Sequence, residues 1–368
     1  NKFECLSASQ NYEVITMLKL CRETQALLAD IENRIDPETE EDYRRQWQNF
    51  LDGNFTGGIF TPRRARVSEP TVSYRNVNIN DAVEDYELML VSQLEGVSRA
   101  LAGRSGVLDV RTNYGTGILT SLFGAEIFTM PYEMNTLPTT HSFNDTEKIR
   151  AVLEKGMPDL NGGFGRKVFE MGEFFAEAFA GYPKISRYVH VYHPDAQGPL
   201  DIWQLLWGGE MFYAMYDEPE LVHGMLRLAT DTYAAFLDKW FALYPAGKLG
   251  SHWGSLMHRG RILLRDDSAM NLSPALYEEF AMPYDTELLA RFGGGVVHFC
   301  GRGDHYIEAL CRIPSLTGIN LSQPHLNDME TIYRNTVEKG IPLLAFSRER
   351  AEQDIGRPGG FRRLVHCG

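Results

Sequence analysis

Apolar residues recur at helical spacing between Asn11 and Ile35 (Val14, Ile15, Leu18, Cys21, Leu28, Ile31), which predicts an amphipathic helix there. Asp36-Pro37 opens a second helix with an acidic first turn, and Trp47, Phe50 and Leu51 form its apolar face. Residues 53–80, with Gly57-Gly58, Pro62 and Pro70, read as loop. A third amphipathic helix is predicted over Asp81 to Ala102, ended by Gly103.

Beyond residue 104 the pattern changes to short apolar strands alternating with helices. The predicted strands are Val107–Thr112, Arg187–Tyr192, Gly247–His252, Gly295–Cys300, Leu316–Leu321, Ile341–Phe346 and Arg363–Cys367. Between them lie predicted helices such as Thr146–Glu154, Lys167–Phe179, Glu218–Phe241, Pro274–Leu289, Asp304–Arg312 and Asp328–Lys339. Continuously apolar strands suit a parallel sheet buried on both faces. The expected fold is α/β: a (β/α)8 TIM barrel over residues 105–368, with residues 1–104 as an N-terminal helical extension packed on it. A doubly wound open sheet is the runner-up. The first strand is not followed by Gly-x-Gly-x-x-Gly, so nothing points to a dinucleotide domain.

Charge narrows the function classes. Lys plus Arg number 36 against 49 Asp plus Glu, a formal net charge of −13 over 368 residues. Such a chain, without a basic block, is a poor partner for nucleic acid or an anionic membrane. No apolar run reaches the ~18–20 residues of a membrane span, and the start, Asn1-Lys2-Phe3-Glu4-Cys5, lacks a signal-peptide core. Five scattered cysteines do not read as a disulfide framework, so a reducing cytoplasm is expected.

In a barrel, chemistry sits at the C-terminal ends of the strands. Those ends carry Asn113-Tyr114-Gly115, His193-Pro194-Asp195-Ala196-Gln197, His252-Trp253, His298-Phe299-Cys300, Ser347-Arg348 and His366-Cys367. Residues two apart on a strand share a face, so His298 and Cys300 point the same way. With Cys367, or with His366 in its place, they form the ligand set of a catalytic zinc site with one position open. The competing reading is a hydrogen-bonded core histidine and two small buried thiols. Asp266-Asp267 follows the apolar Ile262-Leu263-Leu264, and Asp267 is the candidate acid–base group. Tyr114, Gln197, His252 and Trp253 are expected to line a substrate pocket, with Arg302 as an anion contact.

Three stretches carry a family likeness. Gly198-Pro199 with Leu205 to Gly209 and Asp217, Pro219 to Val222 is the first. Asp266-Asp267 with Ser273-Pro274, Tyr277 and Pro283-Tyr284 is the second, and Gly295-Val296-Val297-His298-x-Cys300-Gly301 the third. Together they resemble the uroporphyrinogen decarboxylase superfamily, closest to its zinc-dependent methyltransferase branch. The resemblance implies a barrel, zinc held by His298, Cys300 and Cys367, and methyl transfer between a small substrate or thiol and a corrinoid protein. The decarboxylases of the superfamily carry an Arg-x-Ala-Gly-Arg segment after the first strand, whereas this chain reads Val110-Arg111-Thr112-Asn113-Tyr114-Gly115. A metal-free carboxy-lyase acting on a carboxylated substrate and a non-catalytic tetrapyrrole- or corrinoid-binding protein are the alternatives. The helical extension could cover a second copy, giving a homodimer.

Overall fold

Pro37 and Asp36 do locally what their chemistry dictates. Asp36 accepts a hydrogen bond from the Thr39 amide at 2.8 Å, and Pro37 starts the helix Pro37–Leu51 (α2). The computed structural model describes residues 19–245, 247 and 249–368. The preceding helix, Arg22–Arg34 (α1), starts later than the sequence pattern suggests, and the Asn11–Leu18 part of that prediction lies outside the described residues. The third predicted helix is two, Ile79–Glu84 (α3) and Tyr86–Ala102 (α4). Asp85 is extended between them and caps the second through the amides of Glu87 and Leu88.

Nine strands are described: β1 (Asp109–Val110), β2 (Ile127–Phe128), β3 (Thr139–Thr140), β4 (His190–Val191), β5 (Leu249–His252), β6 (Leu256–Arg259), β7 (Ile262–Arg265), β8 (Gly295–Phe299) and β9 (Leu316–Leu321). β1 pairs with β4, and β7, β8 and β9 form a ladder, all parallel. Single parallel bridges extend this ladder through Leu343 and Val365, and another joins His366 to Phe60 of the extension. β2–β3 and β5–β6 are antiparallel hairpins. The fold is therefore α/β, with parallel strands in chain order. Among the described residues the ladders do not join into one closed ring, because the first strands pair over only two residues and an antiparallel hairpin interrupts the series.

The period-2 alternation of the ladder divides the core. Leu263, Val296 and Leu344 share one cluster with Leu256, Met257, Trp47, Phe50 and Phe60. Ile262, Leu264, Val297, Phe299, Ile319, Leu343 and Val365 face the other way, into the large cluster built with the helices. The extension fills the first face. Phe50 stacks on Phe60 at 4.3 Å, and Trp47 lies 5.1 Å from Phe60 and 4.3 Å from the His366 ring. Glu40 pairs with the buried Arg64 at 2.6 Å, and Arg64 also donates to the carbonyls of Ala100 and Gly106. Among the described residues, no helix is long and apolar enough to cross a membrane.

Candidate metal centre

Parallel register sets the site. Arg265 of β7, His298 of β8 and Asn320 of β9 are direct neighbours across the ladder, one row beyond the apolar Leu263 and Val296. Two residues further on, Asp267 and Cys300 form the next row, where the Cys300 amide donates to Asp267 Oδ1 at 2.8 Å. Asn320 donates through Nδ2 to the Leu344 carbonyl at 2.7 Å, so its Oδ1 faces His298 Nδ1 at 2.5 Å as acceptor. That contact places a proton on Nδ1 and turns Nε2 toward Asp267 and Cys300. Nε2 lies 3.5 Å from Asp267 Oδ1 and 3.5 Å from Cys300 Sγ.

Ligand atoms from Asp267, His298 and Cys300 all fall within 4.8 Å of one another. Without an ion, the three partners settle the charge among themselves. Burial opposes the His298 imidazolium, but hydrogen bonds to Asp267 and Cys300 outweigh it and raise the ring to about 9. Burial likewise works against the Asp267 carboxylate, and its bond to His298 holds it down at about 2. One oxygen, one nitrogen and one sulfur donor suit zinc, and the fixed Nδ1 proton leaves Nε2 as the ligating atom.

Cys367 and His366 lie elsewhere. Cys367 follows Val365 in the alternation, so its thiol enters the helix-facing core with Val297 and Phe299, fully buried, and burial pushes it up to about 11. His366 takes the inner face but is committed to the extension and its own ladder. Its ring packs on Trp47, and its Nδ1 accepts from the Ala345 amide at 3.0 Å. The structure thus brings Asp267, not Cys367, beside His298 and Cys300, because a single residue of register decides which face a strand side chain takes.

The site opens into a cavity of about 880 Å³ lined by Trp253, Arg111, Arg265, Asp195 and the Leu137–Thr139 loop. Asp195 is shared by Arg111 and Arg265, the latter at 2.7 Å, and accepts from Trp253 Nε1 at 3.3 Å. The Trp253 ring stands edge-on to His298 at 5.1 Å. Trp253 is the one predicted pocket residue that lines this cavity. Tyr114 is fully buried against Phe164, Gln197 is buried beside Asp201, and Arg302 is exposed and paired with Asp304 at 2.7 Å. Asn320 and Asp195 were not singled out from the sequence. Asn320 had a signal, a lone amide inside the apolar Leu316–Leu321; Asp195 had only its place at a strand end.

His252 is also withdrawn from the cavity. Its Nδ1 meets His258 Nε2 at 3.1 Å and its Nε2 meets His193 Nε2 at 3.0 Å. The outer nitrogens face the carbonyls of Arg259 at 2.9 Å and Pro194 at 2.7 Å. Each of these contacts needs a ring proton, one more than three neutral rings carry. Burial nevertheless holds His252 well below the ordinary range, and the like-charged neighbours add to this. Burial also depresses His190 and His258 to about 4 and His366 to about 3.

These depressed rings make stability pH-dependent. The unfolded chain takes up protons near 6.5 that the folded rings refuse. Their contribution is therefore whole above that pH and is lost as pH falls toward 4, each ring adding a slope of up to about 1.4 kcal/mol per unit. His298, raised instead, contributes fully below 6.5 and loses its contribution as pH rises through about 9. Buried Asp109 and Asp285, raised to about 7, and Asp201, raised to about 6, act oppositely and gain stability as pH falls through those values. The histidine part is read by difference. Between pH 7 and pH 5 the urea midpoint of wild type is expected to change less favourably than that of His366→Gln, and equal changes would mean that the ring is already protonated in the fold.

The chain matches no protein-family model and no curated protein sequence. Among solved structures it is similar to a methyltransferase from Methanosarcina mazei, with a TM-score of 0.56 at 16% identity over 89% of this chain and 93% of that one. The two share a fold. At that identity the likeness extends to the backbone arrangement and not to individual side chains.

Proposed function

We propose that the protein is a zinc-dependent methyltransferase of the uroporphyrinogen decarboxylase superfamily, built on a (β/α)8 barrel. The observation that carries this reading is the convergence of Asp267, His298 and Cys300 at adjacent strand ends, beside an open cavity. The shared fold with a methyltransferase supports it. Asp267 Oδ1, His298 Nε2 and Cys300 Sγ would hold the ion. Bound there, zinc supplies Lewis acidity and keeps a substrate thiol in its nucleophilic thiolate form near neutral pH.

The chain's own residues do the rest. Asn320 fixes the His298 tautomer, and Trp253 walls the centre against solvent. Arg111 and Arg265 line the cavity, sharing the Asp195 carboxylate, and Arg265 also pairs with Asp267 at 3.7 Å; their remaining N–H groups would be the donors for a polar or anionic substrate group. The methyl partner is proposed to be a corrinoid protein docking at the cavity mouth. Free thiols at Cys21, Cys300, Cys311 and Cys367 fit a reducing, cytoplasmic setting.

Elemental analysis of freshly purified protein is expected to find about one zinc per chain. The loaded protein is then expected to demethylate methylcobalamin in the presence of a small anionic thiol. Absence of bound metal after incubation with zinc would remove this mechanism and favour the metal-free carboxy-lyase, for which Arg111 and Arg265 would hold a substrate carboxylate.

A further inference from the structure

We infer that Asp201 is a positioning residue for the metal centre, acting through the backbone of Asp267; this rests on the metal reading above. Asp201 sits in the first turn of the helix Pro199–Trp207 and is 2% exposed. Its Oδ2 accepts from the Asp267 amide at 2.9 Å and its Oδ1 from the Ser268 amide at 2.7 Å. These are consecutive amides at the start of the 3-10 turn Asp267–Asn271, so one buried carboxylate holds the turn that presents Asp267.

Two further contacts clamp Asp201 to the end of β7. With its amide oriented to satisfy both neighbours, Gln197 donates to Asp201 Oδ2 at 2.7 Å and accepts from Arg265 Nε at 3.3 Å. Gly198 donates its amide to the Arg265 carbonyl at 2.8 Å, where a Cβ would come within 2.6 Å of that oxygen. The helix start and the strand end can meet this closely only at glycine. Among the described residues, no basic side chain forms an ion pair with Asp201. Its negative charge faces backbone N–H groups and, beyond them, the Asp267 carboxylate.

Asp267 is therefore held twice: its backbone by Asp201, its Oδ1 by the Cys300 amide at 2.8 Å. Removing the first hold leaves the carboxylate free to turn from the direction of His298 Nε2. Asn at position 201 keeps one acceptor and sets an NH2 group against an amide N–H, so the turn must shift.

Cobalt(II) is the probe, because its visible spectrum reports coordination directly. Asp201→Asn is expected to bind cobalt about 10–100-fold more weakly than wild type, with altered d–d bands. Asp30→Asn is the control for a buried carboxylate that accepts a backbone amide: Asp30 is 4% exposed, accepts from the Thr71 amide at 2.9 Å and pairs with Arg34 within the extension. It is expected to bind cobalt as wild type does. If wild type binds no cobalt or zinc, the metal reading itself falls. If wild type binds cobalt and Asp201→Asn matches it in affinity and spectrum, only the role of Asp201 falls. Should Asp201→Asn not fold, Gln197→Leu decides: weaker binding with shifted bands supports the assignment, and an unchanged spectrum overturns it.

Discussion

Cys300→Ser is expected to purify without stoichiometric zinc, while Cys367→Ala keeps it. Cys300 is half-buried at the end of β8, so exchanging sulfur for oxygen there should leave the fold intact. The exchange removes the only soft donor of the cluster. A serine hydroxyl does not ionise readily at neutral pH, and the remaining Asp267 and His298 make a two-ligand site. Cys367 presents the opposite case. Its thiol lies in the helix-facing core, so truncation should cost about 1 kcal/mol of stability and no metal. Elemental analysis and urea unfolding of both variants read the two effects separately. Loss of zinc from both variants would instead restore His298, Cys300 and Cys367, the ligand set read from the sequence.

That contrast shows what a single sequence makes legible. His298 and Cys300 are two apart on one strand, so their common face follows from local geometry alone. Cys367 belongs to a different strand, and its face depends on register set by Phe60, Leu343 and the packing of Trp47 against His366. No local pattern encodes that. Strand Leu316–Leu321 matches its prediction because its apolar run is bounded by polar turns at both ends. The β5–β6 hairpin escaped, since its turn places Trp253 at φ 56° and Gly254 at φ 63°. Tryptophan in the left-handed region runs against its preference, and its indole fills the cavity wall beside His298. The helix predicted over Pro274–Leu289 breaks at Ala281, ahead of Pro283 in the first turn of the next helix. Asp267 was singled out as an acid–base group; its place within reach of His298 Nε2 depends on the distant Asp201.

Trp47→Ala is expected to be the most destabilising single change in the extension, by about 3–5 kcal/mol. Trp47 is fully buried, and its indole touches three rings that come from three places in the chain: Phe50 at 6.2 Å, Phe60 at 5.1 Å and His366 at 4.3 Å. Phe60 and His366 are bridged in parallel, the Phe60 amide donating to the Val365 carbonyl at 2.8 Å. An alanine at 47 leaves a void under that bridge which neighbouring strands cannot close without breaking their hydrogen bonds. The loss should appear as a lower urea midpoint with one cooperative transition, because α2 and the ladder share a single apolar cluster. The acid sensitivity should change with it. His366 owes its depressed affinity for protons to burial, and water entering beside the ring raises that affinity toward the ordinary value. The variant should then lose less further stability than wild type between pH 7 and pH 5. A cost below about 1 kcal/mol, or two separate transitions, would instead make α2 a detachable cover rather than part of the core.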